Sequence, residues 1–379
     1  MTTDRNPSPR LLLGPGPSLV HPRVLRAMAT PLIGHLDPDF LKILAEIRSM
    51  LQTVFQTENE LTLAVSGTGT AAMEAALSNL LEPGDSMLAC IQGYFGERLA
   101  EMGRRYGAQV ERLEADWGEV QDPAAIEAAL SRRPAKVVTL VHAETSTGAC
   151  QPDVAAIAAV CHGHDALLVL DVVTSLGGLP VDIDGWQVDV AYSAAQKSLS
   201  GPPGLSPITV GPRARQAIAR RSSSPPVFYF DLELLGQYWS DRPSYHHTAP
   251  ISTAYGLREA LRLALEEGLA ARWARHTANA RRLWVGLESL DLPLLVPEPR
   301  RLPTLSTPRL PGTFDEAGVR QRLLLEYNVE IAGGFGPLAG KVWRIGLMGE
   351  SSRPEHVRTL LAALEVMLRS VKSAPAGGG

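Results

Sequence analysis

Cysteine is scarce in this chain of 379 residues: Cys90, Cys150 and Cys161 are the only three. Three thiols cannot build a disulfide framework, and an odd count suits a reducing compartment. Their spacing matches no metal-ligand pattern, so no metal is expected. Runs of Lys and Arg are missing as well. The 36 basic and 40 acidic side chains leave a net charge of -4, which disfavours nucleic acid and anionic membrane surfaces as partners. Long apolar runs are also lacking. Leu167–Val173 is interrupted by Asp171 and falls far short of the ~20 residues of a membrane span. The polar stretch Met1–Pro9 has no apolar segment of the kind a secretory signal needs, and the Ala-Gly-Gly-Gly end carries no receptor-read tripeptide. No internal repeat is apparent. These absences predict a cytoplasmic protein.

Glycine and proline are abundant, with 34 and 29 residues, which predicts the many tight turns of a loop-rich α/β enzyme. Hydrophobic residues at 45% and charged residues at 20% exclude long disorder, and the length suits one large domain with a smaller one. Residues 1–35, centred on Gly14-Pro15-Gly16-Pro17, read as an extended arm. Short apolar runs then alternate with helical patterns. Strands are expected at 61–65, 87–91, 109–113, 136–142, 167–171 and 188–192. Helices are expected between them, one of them at 96–106. Continuous apolar strands separated by helices are what a parallel sheet covered on both faces requires. Residues 253–290 read as long helices broken near Gly268. A smaller α+β unit follows a boundary near 275, with strands at 303–309, 329–332 and 342–347 and a helix at 315–327. Its last helix, 353–368, carries a capping-box signature at Ser352 and Glu355 and an apolar face of Val357, Leu360, Leu361, Leu364 and Leu368.

Three loops can carry chemistry. Ser66-Gly-Thr-Gly-Thr70 follows a strand and opens a helix, where backbone N–H groups and the helix dipole attract a phosphate. Gly67-x-Gly69-x-x-Ala72 also fits a dinucleotide fingerprint, but the next strand ends in Gln92 rather than the acid that would hold a ribose. Asp171 ends a buried strand. It either caps a turn or stands at the sheet edge where α/β ligands bind, and an ionised carboxylate there needs a cationic partner. Lys197 lies on a small-residue loop past another strand. It is either solvated or, with a lowered pKa, able to form a Schiff base. Jointly, a phosphate cradle, a strand-end Asp and a strand-end Lys are what pyridoxal 5'-phosphate needs. Tyr94 and Phe95 are candidates for a ring-stacking residue or for core packing.

These residues resemble the alanine–glyoxylate and serine–glyoxylate aminotransferases, class V members of the fold-type-I pyridoxal-phosphate enzymes. The resemblance runs from about Leu11 to about Leu368. Its motifs are Leu13-Gly-Pro-Gly-Pro17, Gly34-His-Leu-Asp-Pro38, Ser66-Gly-Thr-Gly-Thr70, His142-Ala-Glu-Thr-Ser-Thr-Gly148, Asp171-Val-Val-Thr-Ser-Leu-Gly-Gly178, Ser193-Ala-Ala-Gln-Lys197, Tyr245-His-His-Thr248 and Lys341-Val-Trp-Arg-Ile-Gly346. It implies an α/β fold with a mostly parallel seven-stranded sheet, divided as arm 1–35, large cofactor domain 36–275 and small C-terminal domain 276–379. It implies that Lys197 holds the cofactor aldehyde and Asp171 pairs with the pyridine nitrogen. Thr68, Gly69, Thr70 and Gln196 would line the phosphate, Thr145 the ring hydroxyl side, and Val173 and Phe95 the ring faces. Phe95 stands where relatives often place Trp. Tyr245 and Thr248 would reach the phosphate of a neighbouring subunit, which implies a homodimer with shared sites. Gly34 and Arg344 would meet the substrate. His35 is read as a structural histidine, and His246 and His247 as interface packing.

The implied activity is transfer of an amino group from L-alanine or L-serine to glyoxylate by a ping-pong mechanism. Ureidoglycine is an alternative donor. A cysteine desulfurase would need a mobile-loop cysteine and usually a His where Gln196 stands. A phosphoserine aminotransferase would need extra basic residues for a second phosphate. The reading from another class is an NAD-dependent dehydrogenase, weakened by the absent ribose acid. A non-enzymatic binding module leaves Lys197 and Asp171 unexplained.

Overall fold

The computed structural model describes residues 8–312 and 315–373. The start of the predicted arm, residues 1–7, and the Ala-Gly-Gly-Gly end lie outside the described residues. Seven strands build the main sheet: β1 (Leu61–Ser66), β2 (Ser86–Ile91), β3 (Gln109–Glu114), β4 (Val137–Val141), β5 (Leu167–Asp171), β6 (Val190–Tyr192) and β7 (Leu205–Val210). Their spatial order is β1-β7-β6-β5-β4-β2-β3. From β3 to β6 the neighbours are parallel. β7 runs antiparallel to both β6 and β1. β4, β5 and β7 are buried along their whole length, which is why β4 and β5 read as largely apolar runs. β3 is an edge strand and spends Gln109, Glu111, Arg112 and Glu114 on protecting that edge.

β7 is not among the strands expected from the sequence. Pro207 sits inside it, and proline cannot donate to a ladder. The strand tolerates it because Pro207 contributes its carbonyl, which accepts from the Ser193 N–H at 2.8 Å. Two reversals, at β7 and again at β1, bring β1 back to the direction of β6. The carboxyl ends of β1, β2, β4, β5 and β6 therefore open on one edge of the sheet. That edge collects Thr68, Phe95, Thr145, Asp171 and Lys197 from five separate loops.

The arm is not wholly extended. His21 accepts the Arg23 N–H on its ring, Pro22 takes the first helical position, and Pro22–Met28 forms a helix. Upstream, Leu11–Leu12 pairs in parallel with Val329–Glu330, and Leu13 is buried in the second core. Helix Tyr94–Arg105 begins two residues before the expected start, and the last helix runs Pro354–Ser373. Ser352 does not act through the predicted capping box. Its carbonyl and hydroxyl both face the Asn279 amide, at 2.9 and 3.4 Å.

A second core holds Leu13, Leu283, Leu287, Leu323, Trp343, Ile345, Leu360 and Leu364. Each fully buried aliphatic side chain there contributes about 1.5–3 kcal/mol. It packs against a three-stranded antiparallel sheet, ordered β8 (Leu305–Ser306), β10 (Trp343–Gly346) and β9 (Ala332–Gly333). The strand expected at 303–309 is reduced to two residues. Gly268 separates helix Ile251–Glu267 from helix Leu269–Ser289, and residue 275 falls inside the second of these. Among the described residues, no helix is long and apolar enough to cross a membrane.

Candidate active site

Lys197 ends the loop that leaves β6. Its Nζ donates to the Pro15 carbonyl, so the Gly-Pro-Gly-Pro arm closes directly over it. Gly16 has φ +107°, and a Cβ there would stand 2.7 Å from Lys197 Cδ and 2.9 Å from Nζ. Only glycine permits both that backbone and that approach. Ser18 completes the clasp: its N–H donates to the Gln196 carbonyl at 2.9 Å and its hydroxyl to the Lys197 carbonyl at 2.8 Å. Burial, and next the charge of Arg344, push the Lys197 amine down to about 8, against the pull of Asp171. A lysine in the ordinary range has almost no free amine at neutral pH, whereas this one, still mostly protonated there, keeps a far larger free share.

Asp171 is the last residue of β5 and is 3% exposed. Its Oδ1 accepts the Val173 N–H and its Oδ2 the Tyr192 hydroxyl, both at 2.9 Å. Those two bonds do not offset its desolvation, and burial pushes the carboxyl up to about 7. Such a group is completed by a cation. Glu144, fully buried, holds the other side of the site. It accepts the Ser146 N–H at 3.0 Å, the Ser146 hydroxyl at 2.6 Å and the Phe95 N–H at 3.3 Å. Burial raises its carboxyl too.

Helix Gly69–Leu80 starts at Thr68, whose side chain does not cap it. Its Ala71 N–H donates to the Thr68 carbonyl at 2.7 Å, and Gly69 and Thr70 supply N–H groups of the kind a helix start leaves without an intrahelical acceptor. A Cβ on Gly69 would meet Ala194 Cβ at 3.2 Å and Val173 Cγ2 at 3.4 Å, so a side chain there would crowd both neighbours. Thr68, Gly69, Thr70, Phe95, Thr145, Asp171, Val173, Gln196 and Lys197 line one cavity of about 160 Å³. Sequence reasoning names all of these. It misses Arg98, which lines the same cavity, and the supports Glu144, Tyr192, Pro15 and Ser18. Glu144 and Pro15 lie inside motifs quoted above. Tyr192 carries no local signal, because only the sheet register sets it opposite Asp171.

Arg344 lies on β10, is 5% exposed, and does not line that cavity. Its Nε donates to the Gly333 carbonyl at 2.7 Å, and Phe335 stacks 3.7 Å from its guanidinium carbon. Among the described residues it forms no salt bridge, and burial lowers it to about 10. Gly34, Tyr245 and Thr248 are exposed and stand away from the cavity within the single chain. His35 packs 5.4 Å from the Tyr245 ring. His246 is buried, contacts His247 at 2.8 Å and meets the Phe228 carbonyl at 3.1 Å. Burial raises all three thiols, Cys150 and Cys161 to about 12 and Cys90 further, so none is a ready nucleophile.

The cavity's chemistry suits a planar phosphorylated aldehyde cofactor. The start of a helix and a buried Gln196 Oε1 without a hydrogen-bond partner line the same cavity, a buried acid wants a cation, and an amine of lowered pKa stands nearby. A model of the class-V aminotransferase family matches residues 12–334. The (S)-ureidoglycine–glyoxylate transaminase of Bacillus subtilis (strain 168) is 42% identical over 377 residues, covering 95% of this chain and 90% of that protein. The alanine–glyoxylate aminotransferase of Drosophila melanogaster is also 42% identical, covering 96% and 93%. The solved alanine–glyoxylate aminotransferase of Nostoc sp. superposes with a TM-score of 0.96 at 51% identity, over 97% of this chain and 98% of that one.

Proposed function

This chain belongs to the class-V aminotransferases, and on that premise we propose that it transfers the amino group of L-alanine, or of L-serine, to glyoxylate, yielding glycine. Its cofactor is pyridoxal 5'-phosphate, as in the fold-type-I enzymes it matches. When bound, that group supplies an electron sink that acidifies the Cα–H of an amino acid.

The residues divide the work. Thr68, Gly69, Thr70 and Gln196 take the phosphate, Val173 and Phe95 the ring faces, and Thr145 the ring hydroxyl. The Asp171 carboxylate keeps the ring nitrogen protonated. Glu144 holds Phe95 in place through its N–H. Lys197 Nζ anchors the aldehyde. Because its pKa lies near 8, it can also accept and return a proton at the substrate α-carbon near neutral pH. The observation that carries the substrate class is Arg344. A buried guanidinium that forms no salt bridge among the described residues, close enough to depress Lys197, is completed by a planar carboxylate bound through two N–H groups. Both an α-amino acid and glyoxylate present one.

We further propose a homodimer and keep the division into arm, large and small domains. Tyr245 and Thr248 are exposed, as are the apolar side chains of Leu32, Leu36, Phe228 and Tyr229, and a second copy would carry the pair into its partner's phosphate site. The unpaired thiols suit the cytoplasm. Ureidoglycine is the second donor reading, favoured by the Bacillus relative. A panel of alanine, serine and ureidoglycine with glyoxylate held fixed tests the proposal. Alanine or serine should show the highest kcat/KM, with ping-pong patterns. A preference for ureidoglycine of more than about tenfold would replace the first reading by the second.

A further inference from the structure

Arg98 has no part in the assignments above. It lies one turn into helix Tyr94–Arg105 and lines the same cavity as Lys197 and Asp171. Its Nη1 donates to the Thr70 hydroxyl at 3.0 Å. Its guanidinium carbon rides 5.2 Å from the Tyr94 ring centre and 5.0 Å from that of Phe95, which fixes its direction. The acids around it are engaged elsewhere. Glu97 pairs with Arg112 at 2.7 Å, Glu101 with Arg104 at 2.6 Å and Arg105 at 2.9 Å, and Glu144 with Ser146 and the Phe95 N–H. Among the described residues, Arg98 forms no salt bridge.

The charge balance of the cavity gives this side chain a task. A phosphate monoester carries about -1.5 to -2 at neutral pH. The helix N-terminus offers about half a positive charge, and Thr68, Thr70 and Gln196 are neutral. Lys197 is occupied with the aldehyde end and Arg344 lies outside the cavity. A full positive charge is therefore missing from the phosphate end. Thr70 is the residue that links that end to Arg98: its hydroxyl accepts from Arg98 and keeps its own O–H free to donate.

We propose that Arg98 belongs to the phosphate site, its guanidinium supplying the full positive charge that the helix N-terminus and the neutral side chains lack. This rests on the cofactor reading. The competing task for Arg98 is to brace the Phe95 ring, and the two tasks separate by comparing ligands with and without the phosphate.

Apoprotein of the wild type, Arg98→Gln and Arg98→Lys is titrated with pyridoxal 5'-phosphate and with pyridoxal, following the absorbance of the bound chromophore. Arg98→Gln should weaken the phosphorylated ligand by roughly 10- to 100-fold, the loss of one charge-assisted bond. Pyridoxal should change by less than about threefold, and Arg98→Lys should regain part of the loss. Phosphorus resonance of the bound cofactor should show its second ionisation moved to higher pH in Arg98→Gln. Equal losses for both ligands would overturn the inference in favour of ring bracing, and so would no loss for either. Wild-type protein that binds pyridoxal 5'-phosphate while Arg98→Gln behaves identically removes only the role of Arg98. Wild-type protein that fails to bind it removes the cofactor reading and this inference together.

Discussion

Replacing Asp171 by Asn should stabilise the apoprotein at alkaline pH while disabling the holoenzyme. The carboxyl is pushed from 3.8 to about 7 by burial, against the Val173 N–H and the Tyr192 hydroxyl. A group whose folded pKa lies above its unfolded one adds stability that is complete below the unfolded value and is lost as pH rises through the folded one. At ~1.36 kcal/mol per pKa unit, about 3 kcal/mol of that loss falls between pH 5 and pH 8.5. Asparagine has a similar volume, can still accept the Val173 N–H, and does not titrate. The stability difference between the Asp171→Asn and wild-type apoproteins should therefore move by up to about 3 kcal/mol in favour of the variant across that window. Urea unfolding of both apoproteins at the two pH values measures it, and taking the difference cancels most other titrating groups. With cofactor bound the order reverses, because a neutral amide no longer holds the proton on the ring nitrogen. Turnover should then fall by at least about 100-fold, while the cofactor is still retained. A variant equally destabilised at both pH values, or one that turns over normally, would refute the assignment of a desolvated, cation-seeking acid.

Two further expectations follow from the same edge of the sheet. Trapping of the apoprotein Lys197 amine by an aldehyde and borohydride should rise with pH around a midpoint near 8, and Arg344→Leu should move that midpoint upward, since Arg344 is the main charge opposing the Lys197 cation; a midpoint in the ordinary lysine range would contradict the burial argument. Arg344→Ala should leave cofactor binding intact and raise KM for both amino donor and glyoxylate by roughly 10- to 100-fold, the value of a bidentate charged contact, and an effect on one substrate alone would show that the carboxylate is held elsewhere.

The legible parts of this protein are those where local sequence and burial say the same thing. Leu167–Asp171 reads as a buried strand because parallel strands covered on both faces are apolar throughout, and its terminal carboxylate breaks the pattern. Ser66–Thr70 reads as an anion site because small residues between a strand and a helix have little other use. Leu205–Val210 is illegible because Pro207 breaks the local rule for strands, and only its neighbours reveal that its carbonyl alone is used. The helix Pro22–Met28 is masked by the surrounding prolines and glycines, although Pro22 is itself the residue that starts it.

The linear order of residues settles which chemistries are available: a phosphate cradle, an acid and an amine at the ends of three separate strands, with no cysteine or metal-ligand pattern to compete. How those groups behave is set by the folded chain. Asp171 faces Tyr192 through strand register, Lys197 faces Pro15 through an arm 182 residues away, and Arg98 faces Thr70 across two helices. Each of these pairings sets a charge by burial and by a neighbour remote in the chain. Desolvation and Coulomb energy depend on distances in space, and a one-dimensional pattern holds none of them.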